Sequence, residues 1–163
     1  MGSNTARVMP AQKPHRSKQD YGTPWELIKA VESRWGSLGV DLAATNENAK
    51  APRHYNIEQD SLKQPWHLLT AFRLWLNPPF EDIGAWARKC KEESKLGARI
   101  IMLTPASVGS EWFAAHCFGV AHVIGLRPRI IFEGCKDPYP KDCMLTLWGF
   151  PDVAPGFDIW RWK

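Results

Sequence analysis

Residues 72–86 read FRLWLNPPFEDIGAW, and they join two different kinds of pattern. The apolar run Phe72–Leu76 is typical of a buried strand, and the segment after the prolines has apolar residues at helical spacing. Between the two patterns stand Asn77, two prolines and Phe80. A strand that leads through a turn into an amphipathic helix is the repeating unit of α/β proteins, so this stretch predicts that fold class.

The same alternation continues on both sides of this stretch. Upstream, Thr23 is a suitable N-cap, Pro24 suits the first helical turn, and Gly36 ends the predicted helix. Further helices are predicted at 81–95 and 109–118, and strands at 38–45, 54–57, 72–76, 98–105, 121–126, 129–132 and 143–150. We therefore expect a mostly parallel sheet, and the closely spaced last strands predict an antiparallel edge strand.

Length and composition fit one globular domain. The chain has 163 residues, of which 44% are hydrophobic, and its formal net charge is +4, which permits a nucleic-acid partner without requiring one. No apolar run is long enough for a membrane span, and we expect no signal peptide. The four cysteines lack a CxxC pair, and His116, Cys117 and His122 lack zinc-site spacing. These features predict a cytoplasmic protein with reduced thiols and no metal.

The first residues are basic and show no periodic pattern. We expect residues 1–18 to form a flexible arm, followed by a single domain at 19–163. The arm's positive residues are Arg7, Lys13, Arg16 and Lys18. They form either a solvated tail or a set of phosphate contacts.

Polar residues follow three of the predicted strands. Asp41 stands at the end of the first strand, ahead of Ala43 and Ala44, and Asp60 follows the second. In open α/β sheets, ligands bind beyond the carboxyl ends of the strands, where an acid can hold a hydroxyl or ammonium group. Turn or helix capping is the alternative role for each acid.

The Asn-Pro-Pro-Phe segment has the groups that activation of a base's amino group requires. The lone pair of such an amine is delocalised into the ring, and two acceptors aimed at its hydrogens would relocalise it. The Asn77 side-chain oxygen and the Pro78 carbonyl are those acceptors, because the following proline holds Pro78 extended. Phe80 offers a face for base stacking. The alternative is a proline-stiffened turn with Phe80 in the core.

NPPF matches the (Asp/Asn/Ser)-Pro-Pro-(Tyr/Phe) motif of amino-group methyltransferases. Over about residues 19–149, the chain resembles the small phage-type, Dam-like DNA N6-adenine methyltransferases. The resemblance rests on YGTPWELIKAVESRWG, DLAATNENAKAPRHYNIEQDSLKQPW, LWLNPPF, IIMLTPASVGSEWF and RPRIIFEG, in that order. It implies a Rossmann-like methyltransferase fold, S-adenosylmethionine as the methyl donor and double-stranded DNA as the partner.

The resemblance also implies roles for particular residues. Asn77, Pro78 and Phe80 match the catalytic motif. The residues implied to contact the donor are Tyr21, Thr23, Pro24, Asp41, Ala43, Ala44, Asp60 and Leu62. The glycine-rich form of the loop after the first strand is absent, and Asp60 has capping as an equal alternative.

DNA contacts are expected from the basic arm and from loops. The other candidates are Trp112 in the predicted helix 109–118, and Arg127, Arg129 and Lys136 near the ends of strands and in loops. The alternatives are a core position for the tryptophan and solvated charges for the others. From the resemblance we expect a short target such as GATC, and methylation would protect phage DNA from restriction. Methylation of RNA, cytosine N4 or glutamine, or a non-catalytic DNA-binding module, are the alternatives.

Overall fold

A computed structural model of the chain describes residues 21–163, so the predicted arm with Arg7, Lys13, Arg16 and Lys18 lies outside the described residues. In chain order the elements are α1 (Trp25–Trp35), β1 (Leu38–Asp41), β2 (Arg53–His54), β3 (Arg73–Leu76), α2 (Ile83–Ser94), β4 (Arg99–Pro105), α3 (Glu111–His116), β5 (His122–Arg127), β6 (Cys143–Trp148) and β7 (Gly156–Arg161). Three short 3-10 helices join β2 to β3, at Ile57–Gln59, Ser61–Lys63 and Trp66–Leu69.

The strands form one sheet of seven, in the order β2-β1-β3-β4-β6-β5-β7. Within the described chain, β6 runs antiparallel to both of its neighbours, and the other neighbouring strands pair in parallel. The predicted α/β class with a mostly parallel sheet is confirmed. The antiparallel strand, however, lies inside the sheet, and the edge is β7, which pairs with β5 in parallel.

Helices cover both faces of the sheet. Along β3, Trp75 packs on the face that α1 covers, whereas Leu74 and Leu76 pack on the face that α2 and α3 cover. Successive strand residues point to opposite faces, so a strand buried on both sides is apolar throughout. Each fully buried leucine or isoleucine contributes about 1.5–3 kcal/mol, which makes these two apolar layers the main stabilising term.

Three local predictions were wrong. Residues 129–132 form no strand, because Ile130 accepts a single hydrogen bond from the Tyr139 amide instead of joining a ladder. The strand at 143–150 was predicted to be the last, but a further strand, β7, follows it. Thr23 does not cap α1: Pro24 occupies the N-cap position without a side-chain hydrogen bond. The end of α1 at Gly36, with φ 93°, agrees with the prediction.

The strand order creates a crevice beside β1. From β1 the chain first adds β2 on one side, and it then returns to add β3 on the other. Such a reversal leaves space beyond the carboxyl ends of the two central strands, where ligands of α/β proteins bind. Asp41, the last residue of β1, pairs in register with Trp75 of β3, which brings Asp41 close to the turn that begins at Asn77.

Candidate active site

A cavity of about 580 Å³ opens at this crevice. Six of the residues predicted to hold the donor line it, namely Tyr21, Thr23, Asp41, Ala43, Ala44 and Asp60. Asn77 and Pro79 also line it, whereas four other predicted site residues lie outside the lining, namely Pro24, Leu62, Pro78 and Phe80. A volume of this size suits a nucleoside-sized ligand. The fold therefore brings most of the predicted residues to one place.

Asp41 organises the loop that follows β1. Its Oδ1 accepts from the Ala43 amide at 3.2 Å, and its Oδ2 accepts from the Lys50 amide at 3.0 Å. Burial raises the pKa of this carboxyl, while the two amide hydrogen bonds favour the ionised form. Both oxygens are engaged with the backbone, so the geometry supports a structural role for Asp41 beside the cavity.

Lys50 is a buried cation in the cavity wall. Its Nζ donates to Glu133 Oε1 at 2.7 Å and lies 4.5 Å from the centre of the Trp25 ring. The ammonium group thus links the loop after β1 to α1 and to the segment after β5. Sequence reasoning missed Lys50, because its partner Glu133 is 83 residues away and no local pattern marks the pair.

The segment after β2 forms another side of the cavity. Asp60 has a left-handed backbone, with φ 44°, and its carboxylate pairs with Lys63 at 2.8 Å. Glu58 and the highly exposed Ile57 also line the cavity. Asp60 was the acid predicted for this segment. Glu58, which was not predicted, follows β2 more closely, and this position was a signal for it in the sequence.

The side-chain amide of Asn77 is held at its nitrogen end. Nδ2 donates to the Tyr21 carbonyl at 2.7 Å and to Thr23 Oγ1 at 3.2 Å. A carbonyl can only accept, so the group beside Tyr21 must be the amide nitrogen. Among residues 21–163 nothing donates to Oδ1 of Asn77. The Thr23 hydroxyl was expected to cap α1, but it accepts a hydrogen bond from Asn77 instead.

The rest of the Asn-Pro-Pro-Phe turn continues from this point. Pro78 is buried, and in the described part of the chain its carbonyl receives no hydrogen bond. Phe80 is half-buried, and its ring lies 6.2 Å from that of Tyr21 at an interplanar angle of 27°. Phe132 and Tyr139 pack against both rings. Within residues 21–163, the two acceptors of the motif are thus unengaged beside a cluster of four aromatic rings.

A family model described as "DNA N-6-adenine-methyltransferase (Dam)" matches residues 11–142. The chain belongs to this Dam family. It is also 31% identical over 134 residues to the DNA N-6-adenine-methyltransferase of Escherichia phage T1, a match that covers 82% of the chain and 56% of that protein. The chain thus spans about half the length of this relative. The predicted family is confirmed.

The Dam-family chain is also similar to a solved structure, that of a predicted O-methyltransferase from Agrobacterium tumefaciens. The identity is 16%, the TM-score is 0.42, and the match covers 82% of this chain and 85% of the other. The fold assignment rests instead on the strand order, the helices on both faces and the cavity at the reversal beside β1. Together these fit the Rossmann-like methyltransferase fold that the sequence predicted.

The loop residues predicted to contact DNA stand on the carboxyl side of the sheet. Arg127 ends β5, and Arg129, Lys136 and Arg127 are all exposed. Arg129 donates to Asp142 at 2.9 Å. Trp112 is half-buried beside Gly84, so only part of its ring is open to a partner. DNA contact by these four residues of the Dam-family domain stays a prediction.

The cysteines of this Dam-family chain are mostly buried thiols. Burial raises the pKa values of Cys117 and Cys143 to about 12 and raises that of Cys90 well above its ordinary value. Thiols with such pKa values are protonated at neutral pH and unreactive. Across residues 21–163, no three His, Cys, Asp or Glu side chains are grouped to hold a metal ion. In the same range, no helix is both long and apolar enough to cross a membrane.

Proposed function

We propose that this Dam-family chain transfers a methyl group from S-adenosylmethionine to the N6 amino group of adenine in duplex DNA. One observation carries the proposal. Asn77 is held by its nitrogen end at the rim of the cavity, and among residues 21–163 neither its oxygen nor the neighbouring Pro78 carbonyl accepts a hydrogen bond. An amino group with two hydrogens is the ligand that such a pair of acceptors fits.

The two acceptors act on the nitrogen of the base. Hydrogen bonds from both N–H groups to Asn77 Oδ1 and to the Pro78 carbonyl draw the nitrogen toward tetrahedral geometry and relocalise its lone pair. These bonds strengthen as positive charge develops on the nitrogen, so they favour the transition state over the ground state. The bound donor would supply an electrophilic methyl group: the N–C bond would form as the S–CH3 bond breaks, S-adenosylhomocysteine would leave, and the nitrogen would release one proton to water. No covalent intermediate with the protein is needed, and Phe80 orients the base by stacking.

The cavity fits the donor by volume and by chemistry. Its wall offers small residues, Ala43 and Ala44, where a ligand can approach the backbone, and two acids in the segment after β2, Glu58 and Asp60. We assign Glu58 and Asp60 to the ribose and adenine of the donor, because acids that follow the second strand face a nucleoside in related α/β folds. The methionine end would then lie near Tyr21 and Asn77, where the methyl group must reach the amine.

The DNA would approach from the carboxyl side of the sheet. An adenine inside a duplex cannot reach Asn77, so it has to be flipped out, at a cost of a few kcal/mol. Phosphate contacts from the loops and the arm would support this step. We assign that role to Arg127, Arg129, Lys136 and Trp112, and to Arg7, Lys13, Arg16 and Lys18. The enzyme would act on DNA in the cytoplasm, on a short target such as GATC, and protect phage DNA from restriction.

The decisive experiment is methylation with labelled S-adenosylmethionine. Unmethylated duplex DNA, single-stranded DNA, RNA and a protein extract are offered in parallel, and the labelled products are hydrolysed and separated as nucleosides or amino acids. The expected product is N6-methyladenine from duplex DNA. Label on cytosine N4, RNA or glutamine would move the activity to another acceptor, and absence of label with retained DNA binding would indicate a non-catalytic module. A nuclease that cuts only methylated GATC tests the target.

A further inference from the structure

Tyr21 and Thr23 come from the segment before α1, yet they hold the side chain that ends β3. The Tyr21 carbonyl and the Thr23 hydroxyl take both N–H groups of the Asn77 amide, at 2.7 and 3.2 Å. Thr23 is 1% exposed, so water does not compete for its hydroxyl. The bonds leave the amide one orientation, with its oxygen directed away from Thr23.

The segment that carries these acceptors is itself fixed. The Gly22 carbonyl accepts from the Glu133 amide at 2.9 Å. A Cβ at Gly22 would lie 3.2 Å from the Glu133 Cβ, so the two segments pack closely at this point. The Tyr21 ring also lies beside Phe80. The short segment 21–23 therefore touches both functional side chains of the Asn-Pro-Pro-Phe turn.

Resting on the proposed function, we infer that Thr23, together with the Tyr21 carbonyl, is a positioning residue that selects the reactive orientation of Asn77. Without it, the amide would rotate and present its NH2 group to the amine of the base for part of the time. An NH2 group cannot accept a hydrogen bond, so those molecules would not activate the nitrogen. The role explains why a threonine stands at the start of α1 without capping that helix.

Asparagine is necessary at position 77 because its NH2 group binds Tyr21 and Thr23, although the motif also admits aspartate. Asn77→Asp keeps an acceptor for the base. However, it removes the N–H groups that bind Tyr21 and Thr23, and it places a carboxylate oxygen against the Tyr21 carbonyl. An unpaired, partly buried charge beside an acceptor is strongly unfavourable. Asn77→Asp should therefore lower the rate of methyl transfer by at least about 10²-fold, an effect that a merely acceptor-based role for Asn77 does not predict.

The test compares Thr23→Val with Thr23→Ser. Valine preserves shape but loses the acceptor, and serine restores it. Single-turnover methylation should slow by about 3- to 10-fold in Thr23→Val, the effect of one neutral hydrogen bond, while Thr23→Ser stays within about 2-fold of wild type. In Thr23→Val, the affinity for S-adenosylmethionine and the melting temperature should change much less than the rate of methyl transfer. In the Asn77→Ala background, Thr23→Val should have no further effect, because the group that it positions is absent.

A matched control is Thr146→Val, which removes a buried hydroxyl of β6 that has no partner among the described residues. NMR of the Asn77 side-chain amide, assigned by its loss in Asn77→Asp, gives a readout independent of activity. Wild type, Thr23→Ser and Thr146→Val should share slow exchange of this NH2 group, and Thr23→Val should accelerate it. Unchanged exchange in Thr23→Val overturns the inference. If wild type shows slow exchange of the Asn77 NH2 group but methylates no polymer, the proposed function is wrong, whereas the hydrogen bonding of Asn77 by Thr23 stands.

Discussion

Lys50 Nζ lies 2.7 Å from Glu133 Oε1, and the two side chains are unequally buried: that of Lys50 is 4% exposed and that of Glu133 is 39% exposed. The Lys50 ammonium group is therefore almost completely desolvated, whereas the Glu133 carboxylate remains partly hydrated. The pair spans the cavity wall, from the loop after β1 to the segment that packs on Gly22. Substitution of Lys50 and substitution of Glu133 should therefore change the free energy of unfolding by different amounts.

Glu133→Ala should destabilise the protein more than Lys50→Met. The first change leaves a buried ammonium without a partner, whereas the second removes the charge, keeps an apolar stem against Trp25 and leaves a carboxylate that water can reach. We expect a loss of about 1–3 kcal/mol of unfolding free energy for Glu133→Ala and less for Lys50→Met. Urea denaturation of both variants measures this difference, and the opposite ranking would contradict the assignment of Lys50 as the buried half.

Glu93, at the end of α2, should make stability depend on acidic pH. Its carboxylate accepts from Lys89 Nζ and from the His67 amide, both at 2.7 Å. Burial acts to raise the pKa of this carboxyl, but the hydrogen bonds from Lys89 and His67 outweigh burial and lower the pKa below its ordinary 4.5. The folded state thus binds the ionised form better, so the stabilisation is present above pH 4.5 and is lost as the pH falls through the lower folded-state pKa.

Glu93→Gln measures this contribution. At about pH 7 the variant should unfold with about 1–3 kcal/mol less free energy than wild type, and the difference should shrink as the pH falls below 4.5. Urea unfolding of both proteins over a pH series is the measurement. A difference that stays constant over the whole series would show that the charge of Glu93 has no part in it.

Asp41 should affect donor binding through the loop that it organises. Asp41→Ala removes the acceptor for the Ala43 and Lys50 amides, so the loop beside the cavity loses its fixed shape and titration calorimetry should detect weaker binding of S-adenosylmethionine. Asp41→Asn keeps one acceptor and should be less impaired. Equal binding of S-adenosylmethionine by wild type and Asp41→Ala would show that Asp41 has no role in the donor site. If wild type does not bind S-adenosylmethionine at all, the assignment of this cavity to the donor is wrong.

The local parts of the fold could be predicted from the sequence, and the long-range parts of the site could not. The β3 strand, the turn at Asn77 and α2 follow from hydrophobic periodicity, which acts over a few residues. The partners of Asn77 lie 54 and 56 residues away, and nothing near Thr23 distinguishes a helix cap from an acceptor for a distant amide. The β7 strand was missed because its residues are mostly exposed and follow a segment rich in proline and glycine.

DNA binding should weaken steeply with salt, in proportion to the phosphate contacts. Arg127→Ala or Lys136→Ala should each reduce the slope of log affinity against log salt by about 1. Lys95→Ala is the matched control. Lys95 is exposed at the end of α2, near the start of β4 and thus at the amino ends of the parallel strands, whereas Arg127 lies at the carboxyl end of β5. Fluorescence anisotropy with a labelled duplex gives the slopes. Arm contacts require that removal of residues 1–18 also reduces the slope, and an unchanged slope would exclude them.

Asn77→Ala and Phe80→Ala should fail in different ways. Asn77 accepts from the amino group most strongly in the transition state, so Asn77→Ala should slow methyl transfer by about 10²–10³-fold while donor binding stays largely intact. Phe80→Ala removes a stacking face, so base binding and rate should both fall, and Phe80→Tyr should retain much of the activity, because a tyrosine ring offers the same face.

Single-turnover methylation, with adenine and cytosine nucleosides separated afterwards, distinguishes the two variants. Both should remain folded, since neither side chain lies in the interior of an apolar layer, and thermal unfolding provides that control. If Asn77→Ala methylates at the wild-type rate, the Asn-Pro-Pro-Phe segment is only a stiff turn between β3 and α2. If the methyl group is found on cytosine N4, Asn77 and Pro78 still activate an exocyclic amine, but the acceptor is not adenine.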